Sequence, residues 1–359
     1  MTDVRLDVFR ILDASANRAR EGLRVIEDFA RFMQNDETLS RRLKQHRHEL
    51  TGILSELPTS ALLSARDTVN DVGTTISVAT EYQRTSADDV VQAAFKRVQE
   101  ALRSLEEFSK VVDAKLAARF EQLRYQLYTT EKVHGTDQDA RQRLDDQRVY
   151  LLITAAACDG GPEAVVKAAL DGGVRLIQSR EKSLSDREWL QLARQLRAWT
   201  AAVGALLVIN DRPDLAVLCD ADGVHVGQEE FTVAEARTIV GPERLVGVST
   251  HSVEQARQAV LEGADYLGVG PTFPSTTKSF SDFPGLTLVR EVSKEVSIPW
   301  FAIGGIGTGN VATVVGAGAR RVAVSSAICS APSPMAAARA LIEATESNCE
   351  RPTRTTPQP

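Results

Sequence analysis

Apolar residues in the first third of the chain recur at three- and four-residue steps. Leu23, Ile26, Phe29, Ala30 and Met33 are separated mostly by Arg, Glu and Asp, the pattern of an amphipathic helix. Similar stretches over 38–56, 88–112 and 114–132 predict an all-α domain over residues 1–132. Within it, 57–87 carries Pro58, Gly73 and several Ser and Thr, and reads as connecting structure. Residues 133–148, VHGTDQDARQRLDDQR, are almost free of apolar side chains and read as a linker. From Val149 the period changes. Short β-rich runs appear as VYLLITA (149–155), VRLIQ (174–178), ALLVIN (205–210), GVHV (223–226), RLVGV (244–248), DYLGVG (265–270), PWFAIG (299–304) and RVAVS (321–325). Helical stretches lie between them, which implies parallel pairing with right-handed crossovers. Eight such units suit an α/β fold of the (β/α)8, or TIM-barrel, type over 149–344. A doubly wound open sheet is the alternative, and eight units count against it. The tail 345–359 ends in ERPTRTTPQP, a composition that predicts disorder.

The helical third contains a repeat. Arg18, Glu21, Leu23, Arg24, Glu27 and Phe29 find identical partners 79 positions later in Arg97, Glu100, Leu102, Arg103, Glu106 and Phe108. Arg20, Arg24, Glu27, Asp28 and Arg31 fall in one charged band at helical spacing. The simplest reading is a pair of amphipathic helices related by a pseudo-twofold, with the band solvated or paired on the surface. The alternative turns some of these charges into a cleft. Arg66, Asp67, Asp71, Gly73, Thr74 and Thr75 of the loop SARDTVNDVGTT offer a cation, carboxylates and hydroxyls for a phosphate, although the same residue types also make ordinary turns. The chain has no G-x-x-x-x-G-K-[ST] motif, so a P-loop kinase is excluded.

Composition adds limits. At 359 residues, 43% hydrophobic and 25% charged, the chain has material for two globular cores. Its 42 Lys and Arg against 48 Asp and Glu give a net charge of −6, which argues against a general binder of nucleic acid or anionic membranes. The four cysteines contain no CxxC pair, so reduced thiols are expected. No apolar run approaches a membrane span and the N-terminus lacks an apolar leader core; a cytoplasmic location is expected.

In a (β/α)8 enzyme the strand C-termini carry the chemistry. Those ends read Gln178-Ser179-Arg180-Glu181-Lys182, Asn210-Asp211, Gly227-Gln228-Glu229-Glu230, Ser249-Thr250-His251, Pro271 to Lys278, Gly304-Gly305 and Ser325-Ser326. Arg180, Lys182 and Lys278 beside Asp211 and Glu230 suit a magnesium–diphosphate substrate, in which the carboxylates hold the metal and the cations neutralise oxygens. Glycines after strands seven and eight are expected to offer backbone N–H groups to a second phosphate. Plainer readings exist: Asn210 to Pro213 as a turn, Arg180 and Glu181 as a surface ion pair. GGIGTGN lacks the third glycine of a dinucleotide fingerprint, since Asn310 stands there. His225 and His251 have no third ligand at zinc spacing.

Together QSREK, IND, GVHVGQEE, GPTFPSTTK, AIGGI and VSSAI resemble, in order and strand by strand, the thiamine phosphate synthase family over about 149–330. The resemblance implies condensation of hydroxymethylpyrimidine diphosphate with hydroxyethylthiazole phosphate, with release of pyrophosphate and with Mg2+ as cofactor. It assigns Gln178, Arg180, Lys182, Asn210, Ser249 and Lys278 to the pyrimidine diphosphate, with the rest of the 178–182 run, Ser179 and Glu181, beside it. Asp211 and Glu230 are implied metal ligands, and Ser275, Thr276, Thr277, Gly305, Ser325 and Ser326 contacts of the thiazole phosphate. Arg180, Lys182 and Lys278 are implied to act on the leaving group. Three positions depart from the family's usual residues: Ser179 for Leu, Glu230 for Asp and Ser275 for Thr. The opening RILDASANRAREGLRVIEDFARF and the loop RDTVNDVGT resemble a helical domain fused ahead of this synthase and regarded as a hydroxymethylpyrimidine phosphate kinase. Its alternative is a docking or oligomerisation module. A homo-oligomer stays open, and another phosphate-binding (β/α)8 enzyme, an isomerase or aldolase, is the rival for the barrel.

Overall fold

Local signals open the helices. Ser86 precedes α4 (Ala87–Ser109): its hydroxyl accepts the Asp89 N–H at 3.1 Å, and the Asp89 carboxylate accepts the Ser86 N–H at 3.1 Å. The same reciprocal cap joins Ser185 to Glu188 and Thr232 to Glu235, ahead of α7 (Asp186–Ala201) and α9 (Val233–Val240). Each cap satisfies N–H groups that a helix start leaves unpaired. A computed structural model describes residues 3–34, 36–67, 71, 84–274 and 283–346, with the side chains of 3–5, 136–139 and 141 left aside. The chain divides into two compact units, Met1–His134 and Gly135–Pro359.

In the first unit α1 (Asp3–Phe32) packs on α4, on α2 (Glu37–Leu54) and on α3 (Thr59–Ala65), and α5 (Ala114–Leu144) begins in the same unit. Leu12, Leu23, Ile26, Leu43, Phe95, Leu102, Leu105 and Phe120 are buried in its core. Both copies of the repeat bury the same positions, Leu23 with Leu102 and Ile26 with Leu105. The charged band is not all surface. Glu27 is 4% exposed and bonded to Arg47 of α2; Glu106 is 3% exposed and takes Arg124 of α5 at 2.9 Å. Helical spacing within one element could not disclose this, because each buried carboxylate is neutralised by an arginine on the following helix.

The second unit is a closed barrel of eight strands: β1 (Val149–Ile153), β2 (Leu176–Ser179), β3 (Leu206–Asn210), β4 (Gly223–Val226), β5 (Leu245–Thr250), β6 (Tyr266–Val269), β7 (Trp300–Ile303) and β8 (Val322–Val324). Each strand pairs in parallel with the next, and β1 closes on β8 through Val149 to Leu151 opposite Val322 to Val324. The expected eight-strand order is what is found, with α6 (Pro162–Asp171), α7, α8 (Pro213–Leu218), α9, α10 (Val253–Leu261), α11 (Gly285–Glu295), α12 (Val311–Gly316), α13 (Ser326–Cys329) and α14 (Pro334–Glu346) alongside. One apolar layer lies between strands and helices; a second, inside the barrel, is built from Tyr150, Leu176, Val208, Leu245, Tyr266 and Phe301.

Two expected boundaries differ. Residues 133–148 were expected as a linker, yet α5 continues to Leu144. Ala140 and Leu144 join the barrel's inner layer, while Arg321 donates to the Leu144 carbonyl at 3.2 Å and Arg143 to the Glu243 carbonyl at 2.9 Å. These partners precede strands, so the helix end stoppers the barrel at its N-terminal mouth. Two apolar residues one turn apart are enough for that contact and too few to mark a helix by period. The tail expected from 345 starts two residues later, since α14 runs to Glu346 with Thr345 buried; 347–359 lie outside the described residues. Cys158, Cys219 and Cys329 are buried free thiols. Among the described residues no helix is long and apolar enough to cross a membrane.

Candidate active site

Alternation at the end of β2 turns Gln178 and Ser179 to opposite faces. Gln178 and Arg180 line a cavity of about 180 Å3 inside the C-terminal end of the barrel, with Tyr150, Leu152, Asn210, His225, Ser249, Ile303 and Val324. Ser179 points the other way and is fully buried, its hydroxyl accepting the Trp189 indole N–H of α7 at 2.9 Å. Glu181 is also buried and accepts the Ala155 N–H at 2.7 Å, and its other oxygen has no hydrogen-bond partner. Burial pushes the Glu181 carboxyl above the usual carboxylate range. Neither Ser179 nor Glu181 lines this cavity or the charged one beside it; each is bonded to a neighbouring element instead. A strand's period of two cannot send neighbours to one face. Ser179→Ala should therefore lower stability by about 1 kcal/mol, the worth of a buried hydrogen bond, and leave kcat unchanged; thermal melts and steady-state rates on the same variant check this.

A second, charged cavity adjoins the first. Lys182, Asp211, Gly227, Gln228, Glu229 and Glu230 line it, and Arg180, Asn210, Ser249 and His251 line both. Asp211 holds φ at 60°, a left-handed conformation that Asp tolerates better than most residues, and its N–H bonds the His225 carbonyl at 2.8 Å. Asn210 donates its amide to the Asp211 carboxylate at 2.5 Å. Burial and the nearby Glu230 push the Asp211 carboxyl upward, against the opposing pull of Arg180 and Lys182. Glu230 folds back over Gly227, where any Cβ would lie 2.2 Å from its carboxylate oxygen.

Two carboxylates with mutual repulsion beside two cations fit a divalent ion completed by phosphate oxygens, which is how Mg2+ is commonly held. Among the described residues there is no group of three or more His, Cys, Asp or Glu that could hold a metal ion, and water or substrate oxygens would complete the shell of an ion at Asp211 and Glu230.

The far wall of the first cavity is Gly304, Gly305, Ser325 and Ser326, after β7 and β8. Gly305 has φ 62° and its missing side chain would sit 2.6 Å from the Pro274 carbonyl, so glycine alone brings the backbone this close. Ser275, Thr276, Thr277 and Lys278 lie outside the described residues. Sequence reasoning passed over Tyr150 and the role of His225, which line the cavity, and Tyr266, which packs against both. A tyrosine at an inward position of an otherwise aliphatic strand is the signal that marks Tyr150.

The sequence matches the thiamine monophosphate synthase family model over residues 149–328. A thiamine-phosphate synthase of Rhodopirellula baltica is 46% identical over 331 residues, covering 89% of this chain and 88% of that protein. The chain belongs to the thiamine-phosphate synthase family. A second member, from Nostoc punctiforme, is 43% identical over 91% of both chains, so the likeness includes the helical unit. Residues 10–133 match the ThiD2 family. Among solved structures, a thiamine phosphate pyrophosphorylase from Pyrococcus furiosus aligns with a TM-score of 0.52 at 35% identity, over 56% of this chain and 97% of that one. Membership in the family makes the chain a transferase of thiamine biosynthesis, and the two joined cavities lie where a (β/α)8 synthase carries its site.

In the helical unit, the charges expected to share a cleft are differently disposed. Arg66 is held by Asp13 through two bonds of 2.7 Å, Arg103 bonds Glu106 at 2.5 Å, and Arg24 lies 3.8 Å from Glu27. Gly73, Thr74 and Thr75 lie outside the described residues. The groove that does form lies between α1 and α4 and is lined by Arg18, Glu21, Gly22, Val25 and their repeat partners Arg97, Glu100, Ala101 and Ser104.

Proposed function

We propose that the barrel joins 4-amino-2-methyl-5-hydroxymethylpyrimidine diphosphate to 4-methyl-5-(2-hydroxyethyl)thiazole phosphate by dissociative loss of pyrophosphate. The observation that carries this reading is the pair of joined cavities. One is aromatic and aliphatic, the other holds Arg180, Lys182, Asp211 and Glu230, and they meet at Arg180, Asn210 and Ser249. A pyrimidine ring in the first with its diphosphate in the second leaves the Gly305, Ser325 and Ser326 side of the first cavity to the other substrate. Asp211 and Glu230 would hold a Mg2+ ion, which would neutralise diphosphate charge.

Arg180 and Lys182, with Lys278 from the loop after β6, compensate the charge that builds on the departing pyrophosphate as the C–O bond breaks. Gln178 and the cavity walls hold the pyrimidine while its amino group donates electron density to the cation left at the methylene carbon. The thiazole nitrogen then forms the new C–N bond from the side where Gly305, Ser325 and Ser326 hold the second phosphate. Its lone pair carries no proton, so no general base is needed. Purified full-length protein with both substrates and Mg2+ should yield thiamine phosphate and pyrophosphate in equal amounts; folded protein that yields neither overturns the reading.

For the helical unit, the proposed activity is phosphorylation of hydroxymethylpyrimidine phosphate. Support comes from the α1–α4 groove, where two arginines and two carboxylates from matching repeat positions surround one opening. Full-length Arg18→Ala/Arg97→Ala is expected to lose at least ten-fold in diphosphate formation from ATP and the monophosphate, while coupling of preformed diphosphate is unchanged. Wild-type protein that makes no diphosphate would put the docking-module alternative ahead.

A further inference from the structure

The hydrogen bonds across the floor of the apolar cavity form one unbroken chain. Gln178 Nε2 donates to the Tyr150 hydroxyl at 2.7 Å, and that hydroxyl lies 2.9 Å from the Tyr266 hydroxyl. The Tyr266 hydroxyl lies 3.2 Å from His225 Nδ1, and His225 Nε2 lies 2.9 Å from Ser249 Oγ. Five strands contribute one residue each, and the three central residues are at most 6% exposed.

Such a chain has a direction. Each hydroxyl carries one proton and a neutral imidazole one N–H, so one link sets all the others. With the Gln178 amide donating, Tyr150 gives its proton to Tyr266 and Tyr266 gives its own to Nδ1. His225 then carries its proton on Nε2 and donates to Ser249. Three groups remain over at the ends: the Gln178 carbonyl, an acceptor, the second Gln178 N–H, and the Ser249 hydroxyl proton, a donor. Both residues line the apolar cavity, and Ser249 also lines the charged one.

The surroundings are built for this arrangement. His225 is buried with one hydroxyl at each ring nitrogen, so the neutral ring fills both positions with one donor and one acceptor. Gly247 leaves the space the Tyr266 ring occupies, since a Cβ there would stand 2.5 Å from the phenol oxygen. The Tyr150 and Tyr266 rings meet edge to face at 5.8 Å, and His225 lies 5.5 Å from Tyr266.

We propose that Tyr150, Tyr266 and His225 are positioning residues forming a one-way relay, which presents Gln178 as acceptor to the pyrimidine's exocyclic amine and Ser249 as donor to a diphosphate oxygen, so that the site selects a 4-aminopyrimidine over its 4-oxo analogue. This rests on the reading of the barrel given above. A 4-oxo ring would set carbonyl against carbonyl at Gln178. Turning the amide to accommodate it requires every link in the relay to reverse.

The relay is testable without substrate. Full-length protein labelled with 15N at its five histidines, with the His225 signals assigned by their loss in His225→Gln, should show the Nε2–H tautomer. In Gln178→Glu the carboxylate can only accept from Tyr150, and the His225 proton should move to Nδ1. An Nδ1–H tautomer in the wild type, or no change in Gln178→Glu, overturns the relay. Tyr266→Phe, which keeps the ring and cuts the chain, should mix the two tautomers and lower the amino-over-oxo ratio of kcat/KM about tenfold, with the KM for the thiazole phosphate unchanged. An unaltered ratio in folded Tyr266→Phe overturns the specificity role. Absence of coupling by the wild type would defeat the functional reading instead, with the tautomer result standing apart from it.

Discussion

Asp211→Asn should lower kcat by about 10³-fold and weaken the dependence on Mg2+ while leaving the melting temperature near that of the wild type. Charge stabilisation by a metal is worth several kcal/mol, and each 1.4 kcal/mol is about tenfold in rate. Asparagine is the informative replacement because Asp211 sits at φ 60°, where Asn is tolerated and alanine is strained. Asp211→Ala mixes that strain with loss of the charge, so its additional fall in stability measures the backbone cost. A pH series adds a second reading. Burial and Glu230 hold the Asp211 carboxyl above the usual range, so on acidification it takes up its proton, and Mg2+ affinity falls, at a higher pH than for a solvent-exposed aspartate. Near-normal turnover in Asp211→Asn with an unchanged Mg2+ requirement would remove this residue from its role.

Arg180→Gln should lower kcat by about 10²–10³-fold, the cost of deleting one preorganised charge contact at a developing anion. Arg180 stands where the ring-sized and charged cavities meet, and its charge acts on both Asp211 and His225. The fall belongs in kcat more than in KM, because charge on the pyrophosphate grows as the bond breaks. Arg180→Lys should restore only part of the rate, since an ammonium replaces a planar two-pronged donor with a point charge. Steady-state kinetics with each substrate varied separately decides the matter; a defect confined to the KM for the thiazole phosphate would move Arg180 to the other substrate.

Much of the barrel was legible because its information is local. Each expected β-rich run from Val149 to Ser325 contains or overlaps one strand, and residues at or just after the strand ends, Arg180, Asn210, Asp211, Glu230, Ser249, Gly305 and Ser325, line the joined cavities. The misreadings have one cause. Ser179 was grouped with Gln178 as one motif, but a motif has no faces and a strand has two. Glu27 and Glu106 read as surface because the arginines that neutralise them lie on other helices. Residues 133–144 read as linker because their buried apolar side chains are just Ala140 and Leu144 among those described.

Sequence alone determined the two-part architecture, the strand count and order, and which strand ends carry charge, since hydrophobic period and chain order are properties of neighbouring residues. Tertiary structure alone decided which side of each strand a residue serves and which distant groups share a hydrogen bond. The clearest case is the cavity floor, where Tyr150 and Tyr266 meet across 116 positions and Tyr266 and His225 across 41. Closing a sheet of eight strands brings their inward positions within bonding distance. No pattern along a single strand carries that information, because barrel closure is a relation among all eight.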